Sequence, residues 1–243
     1  MTTFTDVLTA RLRRDPGGPL ITFYDEGTGE RVELSATTYA NWVAKTASLL
    51  VEEHDLERGD AIRVDLPAHW LTPVFLGAAW TVGMRVTDGD DPADLAAVAC
   101  GPDSLARWAR HADDVVVLAC ALRPLGVRFA EPVPPGVHDV GVEVWGQPDA
   151  FTPWDPPQGD DVAHDLAGAA PTQAELWSAA AAGELVPDGG RLLTEANPAS
   201  PPGIASFCEP LARGGSLVLV VRADAERLEA IAASEQVTAR YRA

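Results

Sequence analysis

Lysine is almost missing from this chain. Of 18 basic residues among 243, only Lys45 is a lysine and the other 17 are arginines. Any chemistry that needs a lysine, as a nucleophile or as a clamp on phosphate, is confined to that position. It falls in an early amphipathic segment, where a lysine is ordinarily a solvated surface charge. Basic residues as a whole are outnumbered by 36 acidic ones, leaving a net charge of −18. A surface of that sign excludes non-specific attraction to nucleic acid or to an anionic membrane. The three cysteines, Cys100, Cys120 and Cys208, are few, odd in number and far apart. They read as buried apolar residues in a reducing compartment and not as a disulfide framework.

No apolar run approaches the roughly 18 residues that a membrane span requires. The N-terminal stretch lacks a basic region followed by an apolar one, so no leader is expected and the cytoplasm is the expected location. Neither Gly-x-Ser-x-Gly nor Gly-x-Gly-x-x-Gly occurs. The five histidines (His54, His69, His111, His138, His164) are isolated in sequence, without i, i+4 pairs or a cysteine at ligand spacing. The acidic run Asp88–Asp94 lacks the glycine and glutamate of a calcium loop and reads as a solvated turn. No metal, no cofactor and no catalytic residue is expected.

The residues that are present alternate between two kinds of segment. Phe4, Val7, Leu8 and Leu12 fall at helical spacing, as do Tyr39, Trp42, Val43, Thr46, Leu49 and Leu50. Trp70–Thr81 is apolar nearly all round and predicts a buried helix. Ser104–His111, a capped segment from Thr172 to about Ala182, Gly203–Arg213 and Asp224–Ser234 predict further helices. Leu20–Tyr24 and Arg31–Leu34 predict a hairpin. Ala61–Leu66, Met84–Thr87, Leu95–Cys100, Val115–Cys120, Arg191–Thr194, Leu217–Val221 and Val237–Tyr241 predict single strands. Pro124–Asp161, rich in Pro, Gly and Asp, predicts an irregular stretch that Trp145, Phe151 and Trp154 pin to the body or present as an exposed ridge. Strands alternating with helices imply an α/β fold of mostly parallel sheet with helices on both faces.

Two segments resemble one family, the acyl-adenylate-forming enzymes. The first runs from Pro19-Leu-Ile-Thr-Phe-Tyr-Asp to Met84-Arg-Val-Thr and contains Leu56-Glu-Arg-Gly-Asp-Ala-Ile-Arg-Val-Asp-Leu-Pro, then a long helix closing on Ala79-Trp-Thr-Val-Gly-Met. The second runs from Thr172-Gln-Ala-Glu-Leu to Tyr241 and contains Leu211-Ala-Arg-Gly-Gly-Ser-Leu-Val-Leu-Val, then Asp224-Ala-Glu-Arg-Leu-Glu-Ala-Ile. Leu122-Arg-Pro-Leu-Gly and Trp145-Gly-Gln-Pro-Asp-Ala-Phe-Thr-Pro look like a group of shortened actinobacterial members, and the bias toward Ala, Arg and Asp fits a high-GC genome. The resemblance implies the N-terminal part of an acyl-CoA synthetase large domain. It is expected as one α/β domain over 1–243, with a first βα half at 1–123, an irregular segment at 124–171 and a second βα half at 172–243.

The family's phosphate loop is rich in Ser, Thr and Gly and ends in Pro-Lys-Gly. It should lie just before Thr172, where this chain has Ala163-His-Asp-Leu-Ala-Gly-Ala-Ala-Pro171, with no lysine and with Asp165 in its place. The chain stops at Ala243, before the family's later ATP-binding segments would begin. The expectation is therefore a non-catalytic, pseudoenzyme-like module that binds a ligand or a partner protein. The alternatives are an acyl, acyl-CoA or nucleotide-binding protein, and an acyl-ligase-related enzyme with chemistry of another kind. Glu195, Asn197 and Ser200, just after a strand end, are the expected lining of a vestigial cleft. A homodimer or a heteromeric partner is expected on the late strands, Leu217–Arg242, through an unpaired apolar edge.

Overall fold

The computed structural model describes residues 2–242. In chain order the elements are α1 (Phe4–Arg14), β1 (Pro19–Asp25), β2 (Glu30–Ser35), α2 (Ala36–Ser48), β3 (Ala61–Asp65), α3 (Leu71–Val82) and β4 (Arg85–Thr87). Next come β5 (Ala97–Cys100), α4 (Pro102–Trp108), β6 (Val116–Ala119), β7 (Val137–Asp139), α5 (Val140–Glu143) and β8 (His164–Asp165). The last elements are α6 (Gln173–Ala182), β9 (Arg191–Thr194), α7 (Ile204–Ala212), β10 (Ser216–Val221), α8 (Ala225–Ser234) and β11 (Ala239–Tyr241). No helix among the described residues is long and apolar enough to cross a membrane.

The strands form two sheets. One has the order β11-β9-β10-β1-β2, parallel except for the β1–β2 hairpin. The other has the order β7-β6-β5-β3-β4-β8 and is parallel throughout. Side-chain alternation explains why their central strands read as unbroken apolar runs. In β10, Leu217 and Leu219 face a core shared by both sheets, while Val218 and Val220 face α8 through Ile231 and Ala232. In β6, Leu118 joins the shared core, while Val117 and Ala119 meet Trp108 of α4 on the far side. A strand covered on both faces has no polar side to show.

The helices begin where the sequence supplies caps. Thr3 and Asp6 form a capping box on α1, Ser35 caps α2, and Thr172 with Glu175 forms a second box on α6. Each occupies amides that have no partner within the helix. Gly83 ends α3 in the left-handed region at φ 89°, and Met84 turns directly into β4.

Several expectations change. The predicted Ser104–His111 helix starts earlier, at Pro102, because proline suits a first helical turn, and it tightens into a 3-10 turn over Ala109–His111. The Pro-rich stretch is irregular over most of its length but contributes β7 and α5, and β8 lies just beyond it. All three are too short to leave a periodic signature. β10 is not an unpaired edge, since it lies between β9 and β1. The edges of that sheet are β2 and the three-residue β11, where Arg240 pairs with Glu229. Lys45 is no solvated charge either. Its side chain is 18% exposed, and its ammonium is bonded to the Gln147 carbonyl and lies 3.2 Å from Asp149.

Helix α3 runs through the shared core, and only Thr81 of its twelve residues is not buried. Gly77 on this helix has no room for a side chain: a Cβ there meets the Tyr39 hydroxyl at 2.3 Å, Phe4 at 2.8 Å and Val43 at 2.9 Å. Alanine favours a solvated helix over glycine by about 1 kcal/mol, but crowding in a packed core outweighs that gain. Gly77→Ala is expected to lower the unfolding free energy in urea by about 1–3 kcal/mol. An unchanged or raised midpoint would mean that the Tyr39 and Phe4 rings yield freely.

Candidate functional site

The carboxyl ends of the two sheets converge on one cleft. β1 delivers Phe23 and Asp25, β10 delivers Val221 with Arg222, β3 leads into Pro67, Ala68 and His69, and β6 leads into Ala121 and Leu122. Together with Thr28, Pro102 and Asp103 they enclose about 380 Å³. A smaller hollow of about 210 Å³ shares Pro67, Pro102, Asp103 and Leu122 and extends to Asp65, Leu66, Gly101 and Ser104. In the parallel sheet the chain leaves β3 for β4 on one side and returns to β5 on the other. The hollow between the ends of β3 and β5 is thus the switch point at which open α/β sheets bind ligands.

The wall is mixed, with Asp25, Thr28, His69, Asp103 and Arg222 set among apolar residues. His69 is 4% exposed, packs against Phe23 with ring centroids 4.8 Å apart, and neighbours Trp70 at 5.5 Å. Its Nδ1 accepts from the Leu71 amide at 3.2 Å, which leaves the neutral ring's proton on Nε2. That Nε2 has no partner among the described residues. Burial pushes the imidazole pKa down to about 4, against the smaller opposing pull of Asp25, so the ring is a neutral donor at pH 7.

Asp25 and Arg222 line the same cavity as an ion pair, with Nε donating to Oδ1 at 2.7 Å and a second bond from the guanidinium to Oδ2. Burial lifts the Asp25 carboxyl, but Arg222, the Gly27 amide and the Thr28 side chain outweigh it and hold it below the usual carboxylate range. Two lining residues, Leu122 at φ 51° and Arg222 at φ 60°, hold left-handed backbone that side chains disfavour.

Glu195, Asn197 and Ser200, expected to line a cleft, are not among the residues that line this cavity. Glu195 is exposed just past β9. Asn197 donates to the Leu66 carbonyl at 2.7 Å and accepts from Ala199, while Ser200 donates to the Asn197 carbonyl and accepts from Gly203. Asn197 thus ties the Leu66 carbonyl just past β3. His69 was only an isolated histidine in the sequence. Its signal was its place, three residues past the end of an apolar strand and directly before a buried helix.

The segment aligned with a phosphate loop lies elsewhere. Ala163 is tied to Trp80, Val86 and Pro171, β8 extends the sheet edge, and Ala167 and Gly168 turn at positive φ. Asp165 is ion-paired with Arg85.

No family model matches the chain. A TIGR03089 family protein of Mycobacterium tuberculosis (strain H37Rv) is 40% identical over 245 residues, covering 96% of this chain and 95% of its own length. The crystal structure of an acyl-CoA synthetase from Brucella canis superposes with a TM-score of 0.77 at 15% identity, over 97% of this chain and 47% of that one. The N-terminal domain of FACL13 from Mycobacterium tuberculosis does so at 0.73 and 15% identity, over 98% of this chain and 62% of that one. The chain spans about half the length of the full synthetase, and the likeness is one of fold, as the sequence motifs imply.

The buried His69 makes a pH prediction. Its folded pKa of about 4 lies below the ordinary 6.5, so the unfolded chain takes up the proton first. Its contribution to stability is full above pH 6.5 and is lost as pH falls through 4, which amounts to about 2 kcal/mol between pH 7 and pH 5. In urea unfolding, His69→Asn keeps an oxygen for the Leu71 amide and is expected to lose about 2 kcal/mol less than the parent over that interval. Equal losses in both proteins would show that His69 is free to protonate in the folded state.

Proposed function

The chain belongs to the TIGR03089 family, and we propose that it uses an acyl-CoA synthetase-like fold to hold a small acyl or carboxylate ligand without activating it by adenylation. The observation that carries this reading is the unpartnered, buried N–H of His69, a residue of the cavity wall. A buried imidazole N–H without a partner costs about 1–3 kcal/mol of desolvation, which a ligand oxygen recovers. The apolar wall of Phe23, Pro67, Leu122 and Val221 suits a short hydrocarbon body. Arg222, already committed to Asp25, offers its remaining N–H groups at the rim.

The absence of adenylation rests on the aligned loop. Phosphoryl chemistry needs amides and cations preset around the phosphates. The Ala163–Pro171 segment instead spends its backbone on the sheet edge and carries Asp165. A partner-binding role is the second reading, favoured by the exposure of Leu125, Val142, Trp145 and Trp154 within one segment.

A thermal-shift screen of carboxylates, their acyl-CoA thioesters and nucleotides tests the proposal. A ligand at 100 times its dissociation constant stabilises the fold by about 2.7 kcal/mol. We expect stabilisation by one carboxylate or acyl class, its loss in His69→Asn, and no ATP–pyrophosphate exchange above background. Exchange that a substitution in this chain abolishes, or a ligand whose effect is indifferent to His69, would sink the reading.

A further inference from the structure

Far from the cavity, the fold brings together two histidines that are 84 positions apart in the sequence. His54 Nε2 lies 3.2 Å from Oε2 of Glu143, and His138 Nδ1 lies 3.1 Å from Oε1 of the same carboxylate. The two imidazole rings meet edge to face with centroids 4.2 Å apart. One donor atom from each of the three side chains fits within a span of 4.8 Å.

The backbone prepares this meeting. Helix α2 continues as a π-helical turn over Leu49–Glu53, and His54 closes it at φ −120°. Such a turn takes an extra residue and re-aims the chain beyond it. Asp55 then leaves in left-handed backbone at φ 52°. Across from it, His138 sits in β7 and Glu143 at the end of α5. Asp139 holds the corner between them by accepting from the Gly141 and Phe129 amides, each at 3.0 Å. Gln147 ties the two sides together, accepting from Ser48 at 2.8 Å and donating to Glu53 at 3.1 Å.

We propose that His54, His138 and Glu143 form a binding site for a borderline divalent cation such as Zn²⁺. Two imidazoles and one carboxylate are a donor set that such ions take, and three protein donors leave one tetrahedral position for water. With metal–donor bonds near 2.0–2.1 Å, tetrahedral donors stand about 3.4 Å apart. The two separations run to different oxygens of Glu143, and the three donor atoms span up to 4.8 Å, so an ion between them would draw them together by about 1 Å. His54 is nearly enclosed, with a side chain 6% exposed, whereas His138 at 38% and Glu143 at 30% leave an entry from solvent. Glu53 adds negative charge beside the pair. The ion would staple the otherwise irregular 124–161 segment to the end of α2.

Titration of chelator-stripped, tag-free full chain with Zn²⁺ by calorimetry, with bound metal counted by mass spectrometry, tests this. We expect one Zn²⁺ per chain and a rise in the thermal midpoint. His138→Asn and Glu143→Gln should each weaken binding by about tenfold or more, while His111→Asn leaves it unchanged. Both cluster variants alter partly exposed side chains, and far-UV circular dichroism confirms that they fold. Visible bands of the Co²⁺ form, lost in both variants, give a second readout. No saturable binding, or binding that both variants retain, would overturn the site.

Discussion

Helix α3 sets the constraint on which the architecture depends. A helix with eleven of its twelve residues buried cannot lie on a surface. It needs apolar cover on every side, which here comes from two sheets and from α1, α2, α6 and α7. Its polar contacts beyond the helix are few, and several reach far along the chain. Trp80 donates to the Ala163 carbonyl, and the fully buried Gln173 amide joins the Trp80 carbonyl to the Phe4 amide. That one side chain links the start of α1, the last turn of α3 and the start of α6.

Placing one helix between two sheets also creates the cavity. Strands β1, β3, β6 and β10 end at the same place, and α3 begins there, two residues after His69. Within the site, burial keeps His69 uncharged and Asp25 and Arg222 cancel one another, while Asp103 adds a carboxylate to the wall. A polyphosphate calls for several fixed cations, and the wall has only Arg222, already paired with Asp25.

The irregular 124–161 segment works as a strap over the first half. Trp145 meets Trp42 edge to face, Trp42 meets Trp70 in the same way, and Gly126 passes close against both of the latter rings. Lys45 and Ser48 bind Gln147. Glu143 faces the two histidines. The strap is thus fastened by aromatic packing in one place and by polar contacts in another, while Trp154 stays 96% exposed.

The sequence by itself determined the element types, the capped helix starts and the buried character of α3, β6 and β10. Each is carried by many residues whose spacing or local side-chain chemistry repeats. It also exposed the altered segment at Ala163–Pro171 and the family likeness through Leu56–Pro67 and Leu211–Val220. Tertiary structure alone decided what depends on pairings far apart in the chain. β7 and β8 exist because a sheet edge accepts two or three residues, too few to show a period. Lys45 lost its solvent to a loop some hundred residues away. His69 became a neutral donor only because Phe23 and Trp70 close over it, and His54 met His138 only because a π-helical turn and a short edge strand end side by side. A histidine's chemistry is set by what surrounds it, and no spacing along the chain records that.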